Sequence, residues 1–290
     1  EFLVSGAVAL ARRLGLSPMV IGLTLVGFGT SVPELLTSLR AAFQGAPDIA
    51  LGNVVGSNIA NILLILGLAA LLRPIPVTGA AFRYDGAWMV TAALACVGLA
   101  MWPVIGHGAG LGLLLGLVVF LWLTLRRGED LAALPDADAP PMPVWRASGL
   151  FFGGLALTLL GAVMLVSGAT GIARSFGVSE AVIGLTLVAL GTSLPELATT
   201  VMAAIRRQAD VALGNVIGSN MFNLLGIIGV AALVGRIPVD PEMLRFDIWV
   251  MLAASILIAP FVFRGWHMGR VWGAAFCVLY ALYVFVVLGA

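Results

Sequence analysis

One stretch restricts this chain more than any other. Val20-Ile-Gly-Leu-Thr-Leu-Val-Gly-Phe-Gly-Thr-Ser-Val-Pro-Glu34 sets a carboxylate, hydroxyls, three glycines and a proline inside an otherwise apolar segment of helix length. The stretch returns as Val182-Ile-Gly-Leu-Thr-Leu-Val-Ala-Leu-Gly-Thr-Ser-Leu-Pro-Glu196, which differs only at Gly27/Ala189, Phe28/Leu190 and Val32/Leu194. The surrounding composition is that of a membrane protein: 61% hydrophobic, 10% charged, mean hydropathy +1.11. Several apolar runs of about 20 residues match the length that crosses a bilayer. An acidic residue inside such a run is costly and marks a functional site by default. Two copies suggest one site assembled from two related halves.

The rest of the composition mostly excludes. A net charge of +1 gives no footing for nucleic acid. Cys96 and Cys277 lie in apolar segments and offer neither a disulfide framework nor metal-ligand spacing. His107 and His267 stand alone near predicted helix ends and read as interfacial.

The repeat holds an offset of 162 residues without gaps. Asp48-Ile-Ala-Leu-Gly-Asn-Val-Val-Gly-Ser-Asn-Ile-Ala-Asn61 pairs with Asp210-Val-Ala-Leu-Gly-Asn-Val-Ile-Gly-Ser-Asn-Met-Phe-Asn223, and Arg83-Tyr-Asp85 with Arg245-Phe-Asp247. The expected fold is all-α and polytopic, with ten transmembrane helices as two inverted five-helix repeats. Hydropathy places helices at 1–14, 18–44, 47–72, 83–103 and 109–126, and at 145–173, 179–206, 209–234, 243–263 and 268–288. The repeats are 1–126 and 145–290, joined by an acidic, Pro-rich connector at 127–144 that includes Asp136 and Asp138. Helix 1–14 is too short to span, so roughly 15–20 residues are expected ahead of Glu1, from the length a spanning helix needs.

Five helices per repeat forces the halves into opposite orientations. Eleven arginines fall in one set of alternate loops and four in the other. The positive-inside rule then puts the connector in the cytoplasm and both termini outside.

The signature segments carry the chemistry. Pro33 and Pro195 have no amide hydrogen, so the carbonyls of Gly29 and Gly191 lose their helical donor. Freed carbonyls at membrane depth are tolerated where protein or a water-filled cavity receives them. Thr30, Ser31 and Glu34 share a helix face, as do Thr192, Ser193 and Glu196. The following helices present Asn53, Ser57 and Asn61, and Asn215, Ser219 and Asn223, as stripes four residues apart. Collected at a bundle centre, these groups form an all-oxygen cage with two carboxylates and no thiolate or imidazole. Such a cage selects hard cations: Ca²⁺ takes 6–8 flexible oxygen ligands, and Na⁺ accepts hydroxyls and carbonyls. Two ionised glutamates place −2 in low dielectric, which one Ca²⁺, two Na⁺ or two protons neutralise. A site that crosses only when filled is an exchanger.

Gly-Thr-Ser-Val-Pro-Glu34 with Gly-Asn-Val-Val-Gly-Ser-Asn-Ile-Ala-Asn61, and their second copies, resemble the two alpha-repeats of the cation/calcium antiporter superfamily, specifically its sodium/calcium exchangers. The resemblance covers essentially the whole chain. It implies alternating access around a central site, exchange of Ca²⁺ for Na⁺ across the plasma (inner) membrane, no enzymatic activity and no cofactor beyond the transported ions. Carried over by position, Glu34 and Glu196 become shared Ca²⁺ and Na⁺ ligands. Thr30, Ser31, Ser57, Thr192, Ser193 and Ser219 complete the sites, with the carbonyls of Gly27 and Ala189. Asn61 and Asn223 occupy a central position where some relatives carry Asp, which leaves the coupling ion and stoichiometry open.

Three other functions compete. Ca²⁺/H⁺ exchange has the two glutamates themselves carry protons. A Ca²⁺-permeable channel also uses carboxylates, but a pair of inverted halves in one chain argues against it. An intramembrane enzyme lacks a nucleophile–base pair. Blander readings make Gly22 and Gly184 packing residues, Thr24 and Thr186 packing hydroxyls, Asn53, Asn58, Asn215 and Asn220 interhelical glue, and Asp48 and Asp210 helix N-terminal anions.

Overall fold

The computed structural model describes residues 1–45, 47–77, 80–130, 142–177 and 189–289. Asp136, Asp138, Gly184, Thr186 and the start of the predicted helix at 179 lie outside these residues, and the Asp48 side chain is likewise not described. The described chain is almost entirely helical. Helix α1 is Phe2–Leu14, closed by Gly15 in the left-handed region. A broken span follows: α2 (Pro18–Thr30) and α3 (Val32–Phe43), bent by 45°. Then come α4 (Ile49–Leu72), α5 (Ala80–Ala100), α6 (His107–Asp130) and the 32-residue α7 (Val144–Ser175). The second half continues with α8 (Ala189–Thr192), α9 (Leu194–Ile205), α10 (Ala209–Val234), α11 (Pro241–Arg245), α12 (Asp247–Arg264) and α13 (Arg270–Gly289). A two-stranded antiparallel ribbon, β1 (Val104–Ile105) and β2 (Ile237–Pro238), pairs Val104 with Pro238 and Ile105 with Ile237.

Among the described residues, six single helices are long and apolar enough to cross a membrane, and the α2–α3 pair makes a seventh. The predicted helix at 18–44 is therefore two helices, because Pro33 sits in the first turn of a new helix and cannot continue the old one. The predicted helix at 243–263 is likewise divided, at Phe246. Helix α6 runs through Asp130, into the stretch expected as connector.

Burial sorts the helices into layers. In α4 and α10 about four-fifths of the apolar span is buried (78% and 83%), against 17% in α7 and 11% in α13. The central pair form the core, with Leu51, Val54, Ile59 and Ile62 facing Leu213, Val216 and Ile217 in one cluster. A second cluster joins α1 to α7 and to the C-terminal end of α9, through Leu3, Val4, Ala7, Phe151 and Ala203. A Cβ on Gly6 would sit 2.4 Å from the Phe151 nitrogen, and one on Gly154 2.3 Å from that of Leu3. Small residues thus let the α1 and α7 backbones touch, as in membrane helix pairs generally.

Among the described residues, three helices widen into π turns: Gly22–Val26 in α2, Ala60–Leu66 in α4 and Phe222–Ile227 in α10. Such turns concentrate at functional sites. Two of these three carry Asn61 and Asn223.

Candidate ion-binding site

The site is built where two broken helices restart. Ser31 stands at the break with φ −84° and ψ 10°, followed by Pro33 and then Glu34 in the first turn of α3. Ser193 repeats this with φ −88° and ψ 7°, ahead of Pro195 and Glu196 in the first turn of α9. Each carboxylate therefore lies at the positive end of its own half-helix, where the dipole favours an anion. Discontinuous helices of this kind hold substrate sites in many transporters.

The neighbouring helices lock the two breaks in place. Asn53 of α4 donates to the Glu34 carbonyl at 3.3 Å and to Ser38 Oγ at 3.0 Å. Asn215 of α10 donates to the Glu196 carbonyl at 3.3 Å and to Thr200 Oγ1 at 2.8 Å. These two asparagines are interhelical glue, as their spacing allowed. Asp210 stands in the first turn of α10. Gly22 is a packing residue, since a Cβ there would lie 3.1 Å from Gly214 Cα. Thr24 bonds back to the Val20 carbonyl.

The two halves meet by exchanging hydroxyls. Ser31 donates to Glu196 Oε1 at 2.8 Å, and Ser193 donates to Glu34 Oε1 at 3.1 Å. Ser193 also reaches Ser57 Oγ at 3.5 Å. Thr30 donates to Asn215 Oδ1 at 3.1 Å and stands 3.5 Å from Ser219, which donates to the Gly27 carbonyl at 3.2 Å. Thr192 stands beside Glu34, and Thr30 and Ser219 beside Glu196. Glu34, Glu196, Ser31, Ser193, Ser57, Thr30, Thr192 and Ser219 are therefore brought together; Asn61 bonds instead to Asn220, and no bond joins Asn223 to them. The carbonyl turned toward the opposite half is that of Gly27; Ala189 opens the short helix α8.

Both glutamates are 1% exposed, and the second oxygen of each, Oε2, is buried with no hydrogen-bond partner. An unsatisfied buried carboxylate oxygen costs several kcal/mol unless something fills its coordination. Asn61 donates to Asn220 Oδ1 at 2.9 Å while its own Oδ1 stays unpaired, and Asn223 has neither side-chain atom paired. The two carboxylates and the hydroxyls bonded to them form an oxygen-only donor set, which suits a hard cation. Among the described residues no three or more His, Cys, Asp or Glu cluster, so neutral oxygens would supply most of any coordination shell.

Sequence reasoning missed the π turns, the anchors Ser38 and Thr200, and the role of Asn220 as partner to Asn61. Asn58 was grouped with its counterpart Asn220 as glue, but both its side-chain atoms are unpaired and buried. The repeated Gly-Ser-Asn triplets flagged both positions without separating their roles.

A multi-pass helical membrane protein with paired acidic half-helices at its centre belongs to the class of cation transporters. Comparison with known proteins gives the family. The sequence model described as Sodium/calcium exchanger protein matches residues 1–126 and 146–289, and the chain belongs to this family. It is 33% identical to the sodium/calcium exchanger MaX1 of Methanosarcina acetivorans, over 99% of this chain and 93% of that protein. It is 37% identical to the inner membrane protein YrbG of Escherichia coli, over 90% and 83% of the two. The fold matches the solved sodium-calcium exchanger NCX_Mj with a TM-score of 0.87 and 33% identity, covering 99% of this chain and 92% of that one. The family is one of membrane exchangers and not of enzymes, and its ions are Na⁺ and Ca²⁺.

Proposed function

We propose that this chain expels Ca²⁺ in exchange for Na⁺ as a secondary antiporter of the plasma (inner) membrane. Residues 1–126 and 145–290 act as two inverted repeats around one midplane site, with the 127–144 connector in the cytoplasm and both termini outside. The observation that carries this reading is the crossed pair Ser31–Glu196 and Ser193–Glu34, with both Oε2 atoms buried and open. Glu34 and Glu196 then bind Ca²⁺ and Na⁺ in turn. Thr30, Ser31, Ser57, Thr192, Ser193, Ser219, Asn61, Asn223 and the carbonyls of Gly27 and Ala189 complete the shells. Pro33 and Pro195 keep the breaks open. Helices α1 and α7, packed on each other in a cluster separate from the main core, move against the rest to alternate access.

Charge explains the coupling. The cage holds −2, so one Ca²⁺ or two Na⁺ neutralise it, and an empty cage leaves uncompensated charge in hydrocarbon. A third Na⁺ would move one net charge, about 2.3 kcal/mol per 100 mV. Ca²⁺/H⁺ exchange, with Glu34 and Glu196 themselves carrying the protons, is the second reading, left open by the amides at Asn61 and Asn223. Ca²⁺ uptake into proteoliposomes separates them. Uptake driven by an outward Na⁺ gradient at clamped pH supports the first; uptake driven only by a proton gradient replaces it with the second.

A further inference from the structure

The second half ends its acidic helix differently from the first. Arg207, just past α9, has φ 63° and is the one non-glycine residue in the left-handed region among the described residues. By the repeat offset its counterpart is Gly45, with φ 79°. Glycine takes that conformation freely, whereas a side chain there is strained. Strain of this kind persists where the surroundings require the residue, commonly at a ligand site.

Two further positions break the repeat nearby. Arg73 ends α4 where the second half has Gly235, and Ala209 begins α10 where the first half has Pro47. All three departures meet in a pocket of about 210 Å³ lined by Arg73, Pro74, Pro76, Ala204, Arg207 and Ala209. Arg73 Nη1 donates to the Ile205 carbonyl at 3.4 Å, which holds its guanidinium against the end of α9. Gln208, the N-cap residue of α10, makes no side-chain bond to that helix. No acid among the described residues pairs with Arg73 or Arg207, and Asp210 does not line the pocket. Leu72 and Ile205, 53% and 49% exposed, extend an apolar skirt beside it.

Two arginines lining one small pocket select a tetrahedral oxyanion. We propose that this pocket binds the phosphate group of an anionic ligand and so ties the end of α4 to the end of α9. A membrane phospholipid supplies that chemistry with its chains on Leu72 and Ile205; free phosphate supplies it from solution. The site does not depend on which ions the protein transports.

The test is thermal unfolding of the purified full chain in phosphatidylcholine nanodiscs, with phosphatidylglycerol included, with inorganic phosphate added, or with neither. The proposal expects at least one of the two to raise the midpoint of wild type, and the responding arm names the source. R73A and R207G should lose that rise, while R270Q, at a distant arginine, keeps it. R207G relieves the left-handed backbone and unfolds no earlier than wild type without ligand, so its lost response is not a folding defect. No rise in wild type, or a rise unchanged in R73A and R207G or lost equally in R270Q, overturns the proposal.

Discussion

Ser31 Oγ donates to the carboxylate of Glu196 at 2.8 Å, across 165 residues of sequence and between the two halves of the chain. Ser193 returns the bond to Glu34 at 3.1 Å. Each half thus orients the other's charge, and neither carboxylate has its geometry alone. A hydrogen bond to a charged group is worth about 1.5–3 kcal/mol. Replacing Ser31 with Ala should therefore weaken Ca²⁺ binding roughly ten- to hundredfold, by the usual conversion of free energy to affinity. Calorimetric titration of S31A and S193A measures it, and the two should weaken binding to a similar degree.

Asn223 tests the charge argument. It sits in a π turn of α10, is buried, and has no partner for either side-chain atom. Asn223→Asp raises the cage to −3, so one more monovalent ion is needed to neutralise it. The Hill coefficient for Na⁺ in a flux assay should rise relative to wild type.

The contact between α2 and α10 is backbone on backbone. A Cβ on Gly218 would fall 2.2 Å from the Leu23 carbonyl oxygen. Overpacking against main chain typically costs about 1–3 kcal/mol or more, so Gly218→Ala should lower the thermal midpoint in detergent and reduce transport. Gly161→Ala, with open space around it, should leave both unchanged.

Asp85 is 2% exposed and pairs with Arg127 at 3.0 Å, and that guanidinium lies 3.4 Å over the Tyr84 ring. Removing one partner strands a buried charge. Breaking such a pair costs about 3–5 kcal/mol when both partners are buried, and less here because Arg127 is 30% exposed. Arg127→Gln should destabilise the protein more than the double variant D85N/R127Q, as a thermal double-mutant cycle would record.

The sequence reading was strongest where physics is local and duplicated. Pro33 and Glu34 with Pro195 and Glu196 announced both helix breaks and both carboxylates, because a proline and an acid in apolar sequence have few other uses. It was weaker where geometry depends on partners far along the chain. Asn53 and Asn61 look alike as one polar stripe, but Asn53 anchors the Glu34 carbonyl while Asn61 bonds across to Asn220. The π turns had no residue signature, since an extra residue in a helical turn is set by tertiary packing. Proline spacing names Gly29 for the freed carbonyl and the family resemblance names Gly27; the opposite half's Ser219 reaches that of Gly27. Register across a helix break cannot be read from spacing alone.

Equilibrium Ca²⁺ binding to the purified protein, titrated with Na⁺, tests the central claim that Glu34 and Glu196 form one cage shared by both ions. Na⁺ should displace Ca²⁺ competitively in wild type, and E34Q and E196Q should each lose Ca²⁺ binding while remaining folded. Ca²⁺ binding that ignores Na⁺, or that survives near normal strength in both variants, would contradict it.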